Sequence, residues 1–349
     1  MKSSTSNVSD LIADEAQTEM RLLAFLNEEE RSTFFPDHGL DKTWGLPLAL
    51  THVDPVGLDS VEAVIRRVKP DIIMGSWSTP QLPMIDNKLP AKYYCHVCGS
   101  VRRHIPRVML ENGLLVSNWG NTVAAIVAEM ALMLALAAQR NLTRQFYAIH
   151  VEKTWRINEG APRGTLYGAR IGIQGLGLIG RELCKLLKPF GAKIDAFDPY
   201  QSEEVFGRCG VNRIEKLEDL YRDHDVVFVC CALTDETHGI ITRKLLESMD
   251  GGAVFVNVAR GKLVDQEALT DLLVSGHIRA GLDVFDVEPL AKDSPLRGLR
   301  NLVATPHIGG STASARKQAG DLARDNIARF LRGEPVVNTV SPSQYDMMT

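Results

Sequence analysis

Three ionisable residues, each just past an apolar run, carry the chemistry that this sequence could perform. Arg260 ends the run AVFVNVAR, Glu288 the run LDVFDVE, and His307 the run LVATPH. A guanidinium grips a carboxylate through paired hydrogen bonds and polarises a neighbouring carbonyl. A histidine moves protons near neutral pH, and a carboxylate partner fixes its tautomer. Each residue alone has an ordinary reading as a loop charge or structural histidine, but the set indicates acid/base chemistry beside a bound carboxylate.

A glycine cluster upstream predicts where a cofactor would lie. Gly175, Gly177 and Gly180 stand in GLGLIG, after the apolar run RIGIQ and before a helical pattern. The first allows a tight turn, the second lets backbone approach a pyrophosphate, and the third lets helix and strand pack closely. N–H groups at the helix start would face the phosphate charge. A purely structural turn is the alternative.

Asp198 adds context to the glycine cluster. It lies 18 residues beyond Gly180, at the end of the next apolar run, KIDAF. A carboxylate there accepts hydrogen bonds from an adenosine ribose and repels a 2′-phosphate, so NAD is favoured over NADP. The alternative is a turn residue before Pro199. The combination favours a dinucleotide site.

Alternating elements must position these groups. Strands are predicted at 48–53, 71–77, 92–97, 114–119, 170–174, 193–197, 225–230, 253–258, 279–283 and 301–305. Helices are predicted at 15–30, 58–68, 104–112, 122–139 and 312–332, with a loop at 150–168. Such alternation is typical of parallel sheets covered on both faces. The sequence therefore predicts an α/β protein of two doubly wound units.

Composition narrows the class of protein. A chain of 349 residues favours two domains, and a net charge of −4 argues against nucleic acid or an anionic membrane as partner. The apolar run 123–138 contains Glu129 and is too short to span a bilayer. No secretory signal is recognised, and the six cysteines suggest no disulfide framework, so we expect a cytoplasmic protein. Cys95 and Cys98 have the spacing of half a zinc site without a second pair, so no metal is expected.

Four segments carry a family resemblance: GLGLIGRE, NVARGKLVDQEAL, AGLDVFDVEP and ATPHIGGST. They closely resemble the D-isomer-specific 2-hydroxyacid dehydrogenases, strongly over 120–335 and weakly over 45–120. The resemblance implies an oxidoreductase that transfers a hydride reversibly between NAD(H) and a 2-keto acid or D-2-hydroxy acid. His307 would be the acid/base, Glu288 its hydrogen-bonded partner, and Arg260 the ligand of the substrate carboxylate. Related formate dehydrogenases differ at the position of Glu288.

The same resemblance implies contacts with NAD beyond the three glycines. They are Leu178, Ile179, Asp198, Cys231, Thr237, Val258, Ala259, Arg260, Asp283, His307, Gly309 and Gly310. Asp283 would face the nicotinamide carboxamide side, with a cap or turn role as its alternative.

The family fold implies a Rossmann NAD-binding domain over 122–306. It would be inserted into a flavodoxin-like substrate domain made of 1–121 plus 307–349, with the long helices 122–139 and 312–332 forming the hinge. Family members are commonly homodimers, so a homodimer is expected.

The N-terminal lobe departs from the family pattern. A Gly-x-Gly-x-Asp loop is replaced by HVCGSVRR, in which Cys98 and Gly99 are expected to lend backbone to the substrate. Arg102 and Arg103 favour either an extra acidic group on the substrate or ordinary surface charge. Two tryptophans near strand ends, Trp77 and Trp119, line the pocket or pack the lobe. Substrate identity stays open, and the alternatives are an NAD-sensing corepressor-like regulator or oxidation of phosphoglycerate or phosphite.

Overall fold

Two fully parallel sheets organise the molecule. The computed structural model describes residues 19–348 except 38, 40–43, 59, 86, 87 and 156–163. Every pair of neighbouring strands in both sheets is parallel. The predicted α/β class with two doubly wound units is confirmed.

The first sheet has five strands in the order β2-β1-β3-β4-β5, the flavodoxin-like order. The strands are β1 (Met20–Phe25), β2 (Leu48–Val53), β3 (Ile72–Gly75), β4 (Tyr93–His96) and β5 (Leu115–Ser117). Its helices are α1 (Glu28–Phe34), α2 (Val61–Val68) and α3 (Arg107–Glu111).

The predicted helix over 15–30 is wrong at Met20–Phe25, which forms the strand β1, and of its described part only residues 28–30 are helical, in α1. Its last four residues are fully buried, and a continuous apolar run fits a strand covered on both faces as well as it fits a helix. Asn27 and Glu30 bond each other's backbone N–H groups in a capping box, which starts α1 three residues after the strand. Residues 15–18 lie outside the described residues.

The second sheet has seven strands in the order β12-β11-β10-β9-β6-β7-β8, so the order reverses beside β6. The strands are β6 (Arg170–Gln174), β7 (Lys193–Phe197), β8 (Asn212–Arg213), β9 (Val226–Val229), β10 (Val254–Asn257), β11 (Arg279–Leu282) and β12 (Leu302–Ala304). Its helices are α4 (Ala124–Gln139), α5 (Leu142–Phe146), α6 (Leu178–Leu187), α7 (Glu203–Cys209), α8 (Leu217–Arg222), α9 (Arg243–Glu247) and α10 (Gln266–Val274). Open sheets bind ligands at such a reversal, outside the carboxyl ends of the strands.

Two long helices attach to different sheets. α4 packs on the seven-stranded sheet, where a Cβ on Gly281 would lie 2.8 Å from the Leu134 Cβ. The helix α11 (Ala313–Leu331) returns to the five-stranded sheet, where Ala323 and Ile327 enter the core. The predicted boundaries at 122 and 306 stay a prediction.

The chain ends with a helix that the sequence patterns did not predict. This is α12 (Pro342–Asp346), held beside α3 by the Tyr345 hydroxyl, which donates to the Ile105 carbonyl at 2.8 Å. Among the described residues no single helix is long and apolar enough to cross a membrane. The helix pair Ala124–Gln139 and Leu142–Val151 is long and apolar enough when taken together, but it is bent by 60° at the break between the two helices.

Candidate active site

A cleft of about 1280 Å³ opens at the carboxyl ends of the strands of both sheets. It brings together fifteen of the predicted site residues: Gly99, Gly175, Gly177, Leu178, Ile179, Asp198, Cys231, Thr237, Val258, Arg260, Asp283, Glu288, His307, Gly309 and Gly310. Three other predicted residues, Cys98, Gly180 and Ala259, are buried and do not line the cleft.

His307 and Glu288 form an acid/base pair in the cleft. The His307 Nδ1 lies 2.7 Å from one Glu288 carboxylate oxygen, and the other oxygen accepts the Phe285 N–H at 2.9 Å. A Cβ on Gly261 would lie 1.9 Å from the Phe285 carbonyl carbon, so the turn after Arg260 packs closely against the segment that leads to Glu288. With Nδ1 bonded to the carboxylate, Nε2 is the ring nitrogen left for a ligand.

Asp283 shapes the loop that carries His307. Its two carboxylate oxygens accept the Thr305 hydroxyl at 2.6 Å, the Ile308 N–H at 2.9 Å and the Gly309 N–H at 2.8 Å. The His307 N–H also donates to the Asp283 carbonyl at 2.8 Å, and His307 itself has a left-handed φ of +55°. Asp283 is 2% exposed. Sequence reasoning offered a cofactor contact or a turn role; the structure gives it the turn bonds while it also lines the cleft.

Asn257, which sequence reasoning missed, supports Arg260. Its side-chain oxygen accepts the Ala259 N–H at 2.9 Å and its amide donates to the Arg260 carbonyl at 3.0 Å. This closes the turn after β10 and aims Arg260 at the cleft. Burial lowers the pKa of the Arg260 guanidinium, and the nearby Glu288 charge acts in the opposite direction.

The three glycines of the turn after β6 have different surroundings. Gly175 has a φ of +97°, and a Cβ there would lie 2.5 Å from the Cys231 nitrogen. A Cβ on Gly180 would lie 2.2 Å from the Gly175 carbonyl oxygen, whereas one on Gly177 meets nothing within 4 Å. The first and third glycines therefore allow close packing, and the second leaves open space at the start of α6. The turn fits the pyrophosphate of a dinucleotide.

Asp198 ties the glycine turn to the end of β7. One oxygen accepts the Leu176 N–H at 2.8 Å and the other the Tyr200 N–H at 3.0 Å. Each carboxylate oxygen can accept a second hydrogen bond. The turn role and a contact with a ribose hydroxyl are therefore compatible.

The turn after β9 supplies two further predicted residues. The Thr237 hydroxyl donates to the Ala232 carbonyl and accepts the Thr234 N–H, both at 2.7 Å. Burial raises the pKa of the Cys231 thiol to about 12. Cys231 therefore offers the cleft a neutral, weakly polar surface and no nucleophile.

The five-stranded side of the cleft is built from tryptophans. Trp77 and Trp119 meet edge to face with ring centroids 5.8 Å apart, and Trp77 is 46% exposed in the cleft. A Cβ on Gly99 would lie 2.9 Å from the Trp119 indole nitrogen. The carbonyls of Cys98 and Gly99 already accept the Trp119 N–H and the Asn118 amide. The tryptophans thus both line the pocket and pack the lobe.

The two neighbouring arginines of this lobe, Arg102 and Arg103, have different surroundings. Arg103 lines the cleft, whereas Arg102 donates to the Met348 carbonyl at 3.0 Å and lies over the Tyr345 ring. Arg316, in the first turn of α11, also lines the cleft. The sequence patterns did not predict this residue as part of the site.

The cysteine pair of the sequence lies in the core. Cys95 and Cys98 are buried, and the Cys95 thiol lies 3.8 Å from the Ala323 carbonyl. Within the part of the chain that the structure describes, no group of three or more His, Cys, Asp or Glu residues is placed to hold a metal ion.

Comparison with known sequences identifies the relatives of this chain. The family profile described as D-isomer specific 2-hydroxyacid dehydrogenase, NAD binding domain, matches residues 130–309. A D-3-phosphoglycerate dehydrogenase of Methanocaldococcus jannaschii is 38% identical over 233 residues, which cover 66% of this chain and 44% of that protein. The match thus spans less than half of the length of that relative. A hydroxypyruvate reductase of Blautia hydrogenotrophica is 31% identical over 291 residues, or 81% of this chain and 89% of that one.

Solved structures share the fold. The apo D-mandelate dehydrogenase of Rhodotorula graminis superposes with a TM-score of 0.77, at 23% identity, over 93% of this chain and 98% of that one. At this identity the likeness concerns the two-sheet architecture alone.

Proposed function

Since the chain belongs to the D-isomer specific 2-hydroxyacid dehydrogenase family, we propose that it catalyses reversible hydride transfer between NAD(H) and a 2-keto acid or D-2-hydroxy acid. The observation that carries the proposal is the 2.7 Å contact between His307 Nδ1 and Glu288, in the cleft that Arg260 and the glycine turn also line.

Each side chain has a defined task in this proposal. When bound, NADH supplies the hydride. His307 donates a proton from Nε2 to the keto oxygen during reduction and takes it back during oxidation. Glu288 holds the proton on Nδ1 and stabilises the imidazolium, so that Nε2 faces the substrate. Arg260 binds the substrate carboxylate through its fork of N–H donors.

The cofactor side of the proposal rests on Asp198 and Gly177. A second phosphate on the ribose would meet the negative charge of Asp198, so NAD is the expected dinucleotide. The space beside Gly177 takes the pyrophosphate at the N-terminus of α6. We place the NAD-binding domain over 122–306 and the substrate domain over 1–121 plus 307–349, with the hinge at α4 and α11.

We also propose that the chain forms a homodimer in the cytoplasm. An exposed apolar surface follows α4, formed by Leu142, Phe146, Ile149, Val151 and Trp155, with side chains 47–81% exposed. Contiguous exposed apolar patches of this kind mark interaction sites. All six cysteines are free, which suits a reducing compartment. Light scattering should give twice the chain mass, and Phe146→Glu should halve it; a wild-type monomer would contradict the dimer.

NADH absorbance with a panel of 2-keto acids tests the activity. We expect oxidation of NADH with at least one of them, and in reverse the reduction of NAD with the D but not the L hydroxy acid. Arg260→Lys should lower kcat/KM by about tenfold or more, because a point charge does not replace the fork. The absence of turnover with every keto acid, or a preference for L substrates, would contradict the proposal.

A further inference from the structure

The two sides of the cleft differ in charge. The seven-stranded side contributes two cationic side chains, Arg260 and Lys262, and five carboxylates to the lining: Asp198, Glu236, Asp283, Asp286 and Glu288. Among the described residues, the charged side chains that the five-stranded side and α11 contribute are Arg103 and Arg316, with no carboxylate. The substrate end of the cleft is therefore cationic beyond Arg260, which already serves one carboxylate.

Arg103 projects from a rigid turn. The His104 N–H donates to the Val101 carbonyl at 2.9 Å, and the His104 carbonyl accepts the Leu82 N–H at 2.7 Å. The His104 ring is 4% exposed and its Nδ1 lies 2.8 Å from the Thr79 carbonyl. The base of Arg103 is thus held in place, so less entropy is lost when its side chain orders on a ligand.

The Arg103 guanidinium has no hydrogen-bond or ion-pair partner among the described residues, and Arg103 is exposed at the cleft. The guanidinium of Arg102, one position earlier, donates to the Met348 carbonyl and lies over the Tyr345 ring. These two adjacent residues of the same charge therefore differ in access to the cleft and in whether the guanidinium already has a partner.

Arg316 lines the same cleft from α11. Its guanidinium donates twice to the Ser311 hydroxyl, at 2.6 and 3.2 Å, and stacks 5.4 Å from the Trp77 ring centre. Glu29 lies 3.3 Å away and neutralises part of its charge. Arg316 thus raises the local positive potential, while Arg103 keeps its donors free.

We propose that the substrate carries a second anionic group, a carboxylate or a phosphate, which Arg103 binds at the five-stranded side of the cleft, in the positive field of Arg316. This rests on the proposed function, because Arg260 takes the carboxylate next to the reacting carbonyl. A guanidinium matches both anions through paired hydrogen bonds. The substrate would then extend from the reacting carbonyl at Arg260 to Arg103 in the five-stranded lobe, the part of the chain that departs most from the family pattern.

Paired substrates test the proposal. The first pair is 2-oxoglutarate and 2-oxovalerate, of equal chain length with and without a distal carboxylate; the second is 3-phosphohydroxypyruvate and hydroxypyruvate. We expect the wild type to prefer the member with the second anionic group, in one of the two pairs, by about tenfold or more in kcat/KM, the scale of a hydrogen bond to a charged group. The pair that shows the preference identifies carboxylate or phosphate.

The variants Arg103→Gln and Arg102→Gln then locate the contact. Arg103→Gln should lower kcat/KM for the preferred substrate, mainly through KM, by about tenfold more than for its partner without the second anionic group. Arg102→Gln, which removes the same charge from the neighbouring position, should keep the wild-type ratio. Thermal midpoints and NADH titrations of both variants check that fold and cofactor binding persist.

Each result decides between the two proposals. Equal or better use by the wild type of the members that lack the second anionic group overturns its recognition by Arg103 and leaves the dehydrogenase assignment standing. A uniform loss with all substrates in Arg103→Gln, or the same change of ratio in Arg102→Gln, also overturns it. Failure of these four and of every other keto acid in the panel to oxidise NADH removes the dehydrogenase assignment and, with it, the inference.

Discussion

The two sides of the cleft are built by different means. On the seven-stranded side, backbone geometry dominates: Gly175 and Gly180 allow contacts that no Cβ would permit, and Asp198 bonds two backbone N–H groups. On the five-stranded side, large side chains dominate, with Trp77 and Trp119 in contact. The side proposed for the dinucleotide therefore depends on backbone that comes close, whereas the other side depends on the shape of its side chains.

The largest expected effect lies where the two sides meet. His307→Gln should lower kcat by about 10²-fold or more, because an amide cannot exchange the proton with the keto oxygen. NADH affinity, measured by fluorescence titration, serves as the control and should stay within about twofold. A kcat near that of the wild type would remove His307 from the reaction and leave the cleft with binding residues alone.

A pair of glycine substitutions sharpens the contrast within the backbone-built side. Gly180→Ala should lower the free energy of unfolding by about 1–3 kcal/mol, because its Cβ would meet the Gly175 carbonyl. Gly177→Ala has open space, so stability in urea should hold while the KM for NADH rises several-fold. The opposite pattern, with Gly177→Ala unstable and its NADH binding unchanged, would contradict the separate roles.

Asp198→Asn examines a carboxylate that shapes the glycine turn and that we propose to contact the cofactor. Its amide oxygen retains an acceptor for one backbone N–H, while the negative charge that disfavours a 2′-phosphate is gone. The ratio of kcat/KM for NADH over NADPH should fall by about tenfold, equivalent to about 1.4 kcal/mol. An unchanged ratio would show that the ribose is recognised elsewhere.

The smallest effect concerns the buried histidines behind the five-stranded side. The rings of His96 and His104 lie 4.7 Å apart, and burial lowers both pKa values below 6.5, that of His96 well below, with His104 adding to the shift. The folded state thus binds fewer protons than the unfolded state at acidic pH. Stability is complete above about pH 6.5 and falls as the pH drops, by at most about 1.4 kcal/mol per pH unit for each ring.

Urea unfolding at pH 7.5 and 5.5 measures this loss. His96→Gln should flatten the decline between the two values, and substitution of the exposed His238, as the matched control, should not. An equal slope in His96→Gln and the wild type would mean that the buried pair does not set the acid sensitivity.

Local signals made much of the fold predictable. The strands at the two sheets' centres are short apolar runs between polar turns, and the glycine turn lies within six consecutive residues, so neighbours in sequence are enough to reveal them. The helix predicted over 15–30 failed because Leu22, Leu23, Ala24 and Phe25 form a run without a period, which a covered strand accepts equally well. α12 is five residues long and depends on a contact with Ile105, far away in the chain.

The sequence predicted the three ionisable residues of the candidate site, but not the hydrogen bonds that hold their loops in place. Arg260, Glu288 and His307 each follow a strand, and strands of one parallel sheet end at one edge, so their convergence follows from order alone. The bonds from Asp283 to residues 305, 308 and 309, and those of Asn257 to its own turn, depend on loop geometry that no spacing rule contains.

By itself, then, the sequence determined the α/β class, the dinucleotide turn and the three residues that belong together, because alternation, glycine spacing and strand ends are properties of neighbouring residues. Only the tertiary structure decided that Arg103 faces the cleft while Arg102 turns to the C-terminal segment, and that Arg316 joins from a helix more than 200 residues later. Adjacent positions of equal charge differ in the direction of their side chains, and that direction is set by what packs against them.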